Sequence, residues 1–213
     1  MARLDHIVVV AKDLSEGTGW VEAALGVAMA GGGVHEGLGT HNRLLSLGPD
    51  LYLEVIARNP QDSTPDQPRM FDLDNFSGKT GLASWVLSSK NARAVLAQSP
   101  AGLGELRALS RGDFRWLMTM PANGMLPFGG AFPAVIQWQS QHPAPLLPDQ
   151  GCRLRRLDIR HPDAQGLSQA LNGLLNDDRV QISNGPEFEM QAHIETPDGV
   201  RVLAAAKKNQ TPP

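Results

Sequence analysis

The chain has 213 residues, and its 19 Lys and Arg against 22 Asp and Glu give a formal charge of −3, which excludes nucleic-acid binding resting on net positive charge. An apolar fraction of 41% with 19% charged residues is that of a chain with a core, not of a disordered one. A single cysteine excludes an intrachain disulfide; Asp5 and His6 interrupt any signal-peptide core, and no apolar run approaches the roughly 20 residues of a membrane span, so the expectation is a soluble, cytoplasmic protein without nucleic-acid or membrane partners.

Leu4 to Ala11 is β-branched and nearly continuous, which predicts a strand covered on both faces. Asp13 with Glu16 three residues on predicts a capped helix; Leu14, Val21, Ala24 and Leu25 share its inner face, and Gly26 ends it. The glycine-rich segment Val27 to Gly39 reads as a strand with a turn or bulge. It lacks the strand–turn–helix setting of a phosphate loop. His41 to Leu47 and Leu51 to Ala57 are strands around the turn Gly48-Pro49-Asp50. Asn59 to Lys79 is polar and rich in Pro, Asp and Ser, and reads as a loose linker.

The pattern then restarts. Gly81 to Leu87 is a strand, Asn91 caps a short helix carrying Ala92, Val95 and Leu96, and strands follow at Leu106 to Leu109, Phe114 to Met120 and Ala134 to Trp138. A third start has a strand with Leu154, Leu157 and Ile159, and Asp163 capping a helix that runs to Leu175. Strands at Val180 to Ser183, Glu189 to Glu195 and Val200 to Ala204 follow, the last two joined by the turn Thr196 to Gly199. Aligning Asp13, Asn91 and Asp163 lines up the three strand starts, so one supersecondary unit repeats. The predicted fold is α+β. Two βαβββ modules (1–58 and 80–143, within a core of 1–145) form a curled mixed sheet with a concave site, and a third, abbreviated βαβββ module over 150–213 packs on that core.

Side chains alternate along a strand, so position decides which face the concavity into the sheet. The first and fourth strands offer His6 and Glu54, and the matching positions of the second unit are read as Ser84 and Gln137. A carboxylate flanked by Leu53, Val55 and Ile56 must be paired, ligated or protonated, because burying a lone charge is too costly. Glu54 thus reads as a site residue or as a structural partner of His6. Imidazole and carboxylate with the Gln137 oxygen suit a divalent metal; a Ser84 hydroxyl is a poor fourth ligand.

The residues Asp5-His6-Ile7-Val8-Val9, Gly39-Thr40-His41-Asn42 leading to Tyr52-Leu53-Glu54, and Ile136-Gln137-Trp138 followed by His142-Pro143 carry a family resemblance. Over roughly residues 3 to 145 the chain resembles glyoxalase-like domain proteins of the vicinal oxygen chelate superfamily. The resemblance implies paired βαβββ modules, often a dimer, and a small-molecule site in the concave sheet. Metal-dependent members place ligands on the first and fourth strands, where His6, Glu54 and Gln137 would hold one divalent ion such as Zn, Ni, Mn or Fe. Ser84 departs from that pattern, which leaves a metal-free protein equally open. Iron ring-cleaving members need two histidines and a glutamate, and no histidine lies between His41 and His142.

The resemblance also turns His41 and Asn42, otherwise a turn, toward substrate binding. Trp85 and Trp138 read as ordinary core or as a flat apolar wall for the ligand. His142 reads as a cavity-edge residue or a loop histidine. Arg153, Arg155, Arg156 and Arg160 read as a solvated strand face, and Cys152 as inert. The expected function is glyoxalase-like lyase or isomerase chemistry on a small organic molecule, with Glu54 and His6 as the catalytic pair. The alternative is a binding protein that sequesters a small molecule in the same pocket. As to assembly, the chain is expected to be a homodimer, or a monomer whose third module closes the open side of the sheet.

Overall fold

The computed structural model describes residues 1–62 and 65–205. The first unit comprises β1 (Arg3–Val10), α1 (Leu14–Leu25), β2 (Ala30–His35), β3 (Thr40–Ser46) and β4 (Tyr52–Arg58). The second comprises β5 (Gly81–Ser88), α2 (Ala92–Leu96), β6 (Glu105–Arg111), β7 (Phe114–Met120) and β8 (Ala134–Trp138). Together they form one eight-stranded mixed sheet in the order β2-β3-β4-β1-β5-β8-β7-β6, with β1 and β5 antiparallel at its centre. In each unit the first strand runs parallel to the last, which the helical crossover permits. The architecture is the expected α+β fold of paired modules.

The helix starts follow from local chemistry. Asp13 accepts hydrogen bonds from the backbone N–H groups of Ser15 and Glu16, and Gly26 ends α1 in the left-handed region at φ 73°. Gly17 lets α1 lie close on the sheet: a Cβ there would sit 2.6 Å from that of Ala11 and 2.7 Å from Val55. The helix therefore covers the face that carries Val55, and the alternate residues Tyr52, Glu54 and Ile56 face the opposite, concave side.

The third unit has β9 (Arg153–His161), α3 (Ala164–Leu171), β10 (Val180–Asn184), β11 (Glu189–Thr196) and β12 (Gly199–Ala204). Its helix stops at Leu171, short of Leu175, which instead bridges to Ala2. The element order is βαβββ, but the strand order is β10-β9-β11-β12, so β10 rather than β12 returns beside β9. This small sheet packs against α1 and β5. Its contact with α1 puts it on the side of the large sheet that this helix covers. The tail of the unit, 206–213, lies outside the described residues. The arginines of β9 are spent on exposed ion pairs, Arg155 with Glu195 and Arg160 with Glu189 among them. Cys152 is buried, and burial pushes its thiol up, away from the reactive thiolate.

Two connecting segments cover the concave face. Ala144 and Leu147, after β8, pack on Leu44 and Tyr52. The stretch read as a loose linker lays Met70 and Phe71 over the centre of the sheet. It is tied down by Arg69, whose Nε donates to the Gly39 carbonyl at 3.0 Å, and by the Asp72 N–H, which donates to the Gly124 carbonyl at 3.0 Å. Phe71 and Asp72 both hold left-handed backbone, at φ 58° and 55°. The two edge strands, β2 and β6, approach each other, so the sheet curls almost closed along a seam.

Candidate active site

A bulge assembles the centre of the site. Leu4 pairs with Leu87 and His6 with Val86, so Asp5 is an extra residue on β1. A bulge re-aims side chains, and here Asp5 and His6 both serve the concave side. The His6 Nδ1 donates to Asp5 Oδ1 at 2.7 Å, and its Nε2 lies 3.5 Å from Glu54 Oε2. The other Asp5 oxygen accepts from Trp138 Nε1 at 3.0 Å and His142 Nε2 at 3.1 Å. Because His142 Nδ1 accepts the Ala144 N–H, its proton is on Nε2, facing Asp5. Tyr52 stacks on His6 at 4.5 Å between ring centroids. All three members of the Asp5–His6–Glu54 row are buried.

Burial alone would raise the Asp5 carboxyl, but hydrogen bonds from His142 and His6 and the charge of His6 outweigh it and hold it well below the usual carboxylate range. Burial likewise opposes the His6 imidazolium, and the bonds and charges of Asp5 and Glu54 overcome it, raising His6 to about 9. Glu54, pushed up by burial, is brought down to about 2 by His6, His35 and Asn42. The row is therefore carboxylate–imidazolium–carboxylate at neutral pH.

Asn42 connects that row to the rest of the site. Its Nδ2 donates to Glu54 Oε1 at 2.6 Å and to His35 Nε2 at 3.1 Å. Its Oδ1 accepts from the Gly33 N–H at 3.0 Å and from Arg111 Nη1 at 2.8 Å. His35 must then be protonated on Nδ1, which donates to Thr40 Oγ1 at 2.8 Å. Burial, aided by the Arg111 charge and opposed by that of Glu54, pulls His35 down to about 4, so it is neutral beside a charged His6. The row borders a cavity of about 20 Å³, room for about one water, walled by Trp116, Trp138, Tyr52 and Phe71.

Of the residues that the sequence nominates, His6, Glu54, Asn42 and Trp138 meet at this cavity, and His142 joins the buried row behind it through Asp5. Three lie elsewhere. Gln137 is on the other face of β8, where its Oε1 accepts the Ala92 N–H at the start of α2. Trp85 is fully buried in the core, with its Nε1 on the Ala131 carbonyl. His41 alternates with Asn42 and so faces away from the concavity; its Nε2 is buried without a partner among the described residues.

The misreading of Gln137 is one of register. Val8 pairs with Glu54 in the first unit and Val86 with Ala134 in the second, so Ala134 stands where Glu54 would recur. The ligand set His6, Glu54 and Gln137 therefore does not assemble. Among the described residues no three His, Cys, Asp or Glu side chains converge in a way that fits a metal ion. Sequence reasoning missed Asp5, His35, Tyr52, Arg111 and Trp116. Only Asp5 carried a local signal: an acid inside a buried β-branched strand has to be paired.

A protein-family model described as a glyoxalase-like domain matches residues 4–175. Among solved structures, a hypothetical protein from Staphylococcus aureus has a TM-score of 0.63 at 14% identity, covering 88% of both chains, and so shares the fold. Methylmalonyl-CoA epimerase from Mycobacterium tuberculosis scores 0.41 at 15% identity over 63% of this chain and 85% of its own. A Streptomyces coelicolor methylmalonyl-CoA epimerase in complex with 2-nitronate-propionyl-CoA scores 0.43 at 16% identity, over 66% and 99%. No curated protein matches the chain. No described helix is long and apolar enough to cross a membrane.

Proposed function

The chain belongs to the glyoxalase-like domain family of the vicinal oxygen chelate superfamily, and from that premise we propose that it is an enzyme moving a proton on a small organic carbonyl compound, with Glu54 as the base and His6 as its cationic partner. The supporting observation is the buried Asp5–His6–Glu54 row beside a cavity with room for about one water.

The chemistry follows from the charges. Glu54 is a weak base while His6 supports its negative charge. A carbonyl oxygen that enters the cavity competes for the His6 Nε2–H. As His6 turns that bond toward the substrate, Glu54 loses support and becomes more basic. It then takes the proton from the carbon next to the carbonyl. The C–H electron pair becomes the enolate, whose oxygen accepts the His6 hydrogen bond. Asp5 keeps the second imidazole nitrogen fixed throughout. Returning the proton to the opposite face or to a neighbouring carbon gives an isomerase; expelling a leaving group from the enolate gives a lyase. No step is drawn through a metal ion, because the ligands nominated for it do not assemble.

The aromatic wall also favours a second reading, sequestration of a ligand without turnover. Exchange of carbonyl-adjacent C–H for deuterium, followed by NMR over a panel of small ketones and oxo acids in D2O, separates the two. Enzymatic exchange that Glu54→Gln abolishes supports the enzyme. Binding without exchange in the wild type refutes it.

A further inference from the structure

Arg111 is buried, yet among the described residues it has no carboxylate partner. Its one protein acceptor there is Asn42 Oδ1, and the Phe114 ring lies 5.2 Å from its guanidinium carbon. A buried guanidinium that touches one neutral acceptor and no carboxylate leaves most of its N–H donors unspent, which is costly and calls for a further acceptor. Arg111 also stands at a boundary. It lines the small inner cavity with His6 and Glu54, and it lines an open groove of about 530 Å³ along the seam between β2 and β6. Among the described residues the only other charge lining that groove is Asp113, at the exposed β6–β7 turn.

A second group points to the same kind of ligand. Trp116 lines the inner cavity and is 4% exposed, and its indole N–H is buried with no acceptor among the described residues. An unspent guanidinium and an unspent N–H beside one cavity together call for an oxygen acceptor bearing negative charge. The inner cavity is already lined by the Glu54 carboxylate. A phosphate dianion would be repelled there more strongly than a monoanion.

We propose that the ligand of this site carries a carboxylate, held at the seam by the Arg111 guanidinium and the Trp116 indole N–H, with the remainder of a longer molecule lying in the groove between β2 and β6. The spacing narrows the class. Asn42 bridges Arg111 Nη1 and Glu54 Oε1 with its one amide group, so the two lie no more than about 8 Å apart. A carboxylate on Arg111 then leaves room for only two or three bonds to a carbon that Glu54 can reach. The fitting substrates are oxo acids whose carboxylate lies two or three bonds from the carbon that loses the proton. That last step rests on the proton-transfer reading; the carboxylate does not.

The test uses 2-oxobutanoate and its neutral counterpart, 2-oxobutanamide, on the full chain. Binding is read from the Trp116 indole ¹H–¹⁵N resonance, and exchange from deuterium at C3 of the probe. The acid is expected to bind roughly tenfold or more tightly than the amide. Arg111→Met erases that preference, Trp116→Phe weakens acid binding, and Glu54→Gln keeps the preference while losing exchange. Equal binding of acid and amide, no binding of the acid, displacement of the acid by equimolar inorganic phosphate, or a preference surviving in folded Arg111→Met overturns the proposal. Should Arg111→Met fail to fold, the wild-type comparison of acid and amide decides alone. Arg111-dependent binding without exchange upholds the carboxylate site and sinks the proton-transfer reading. Exchange of both probes, indifferent to the charge, does the reverse.

Discussion

Two buried imidazoles flank Glu54 and are driven in opposite directions, which predicts a stability maximum near pH 6.5. His35 is held down at about 4, against about 6.5 in the unfolded chain. From pH 6.5 down to 4 the unfolded chain binds a proton that the folded chain refuses, so stability falls with acidification. His6 is held up at about 9, so its stabilisation is fully present below pH 6.5 and is lost as pH rises through 9. Each limb spans about 2.5 units, or about 3 kcal/mol. Glu54 and Asp5, whose values are depressed, lose their contribution only as pH falls below their ordinary range, so they steepen the acid limb and leave the alkaline one alone. The buried Cys152 thiol enters only above pH 9. Asp5→Asn removes the anion that His6 touches most closely. It is expected to lower stability at pH 6.5 by about 3 kcal/mol and to flatten the fall between pH 6.5 and 9. Urea unfolding at pH 4.5, 6.5 and 9, with an NMR titration of the His6 ring, measures both. A wild-type stability that stays level from pH 6.5 to 9, or an Asp5→Asn chain with an unchanged alkaline fall, would refute the assignment of a charged His6 to this row.

Three further outcomes follow. Gln137→Ala removes the acceptor at the start of α2 and should cost about 1 kcal/mol in urea unfolding, leaving deuterium exchange at its wild-type rate. Gly32→Ala puts a Cβ 2.1 Å from the Asn42 carbonyl oxygen at φ +95°, and a loss of more than about 2 kcal/mol is expected, with weaker binding of 2-oxobutanoate as the seam opens. Phe71→Gly relieves a left-handed backbone of about 1–2 kcal/mol but uncovers the cavity. Faster ligand release in stopped-flow fluorescence, with the His6 titration unchanged, is the expected signature.

The elements of the fold were legible because local chemistry sets them. Asp13, Asn91 and Asp163 each cap a helix as their side chains predict, and the β-branched run at the N-terminus became the central strand β1. Glu54 and His6 were legible because a polar residue flanked by buried apolar ones needs an account. The rest of the site depends on contacts that no local pattern encodes. Arg111 meets Asn42 only because β2 and β6 come together when the sheet curls, and His35 reaches Glu54 only because β2 changes register between Ala30 and Gly33. Trp116 and Tyr52 look like core residues in sequence, and by burial they are.

The two clearest departures, Gln137 and Asp5, come from one physical assumption, that a strand alternates without interruption. For Gln137 the alternation holds but the starting point does not. The pairing of Val86 with Ala134 sets the phase of β8, and a displacement of three residues, being odd, turns a side chain to the far face. For Asp5 the alternation itself fails, since strict period two would send it to the face opposite His6. The bulge against β5 lets neighbours serve one site, and the result is the 2.7 Å bond that holds His6 cationic. An acid and an imidazole adjacent in sequence can act as a pair within a strand only where the ladder is broken. The proposed chemistry therefore depends on the bulge as much as on the residues. Deleting the extra residue would restore regular pairing and dismantle the row, even with His6 and Glu54 both retained.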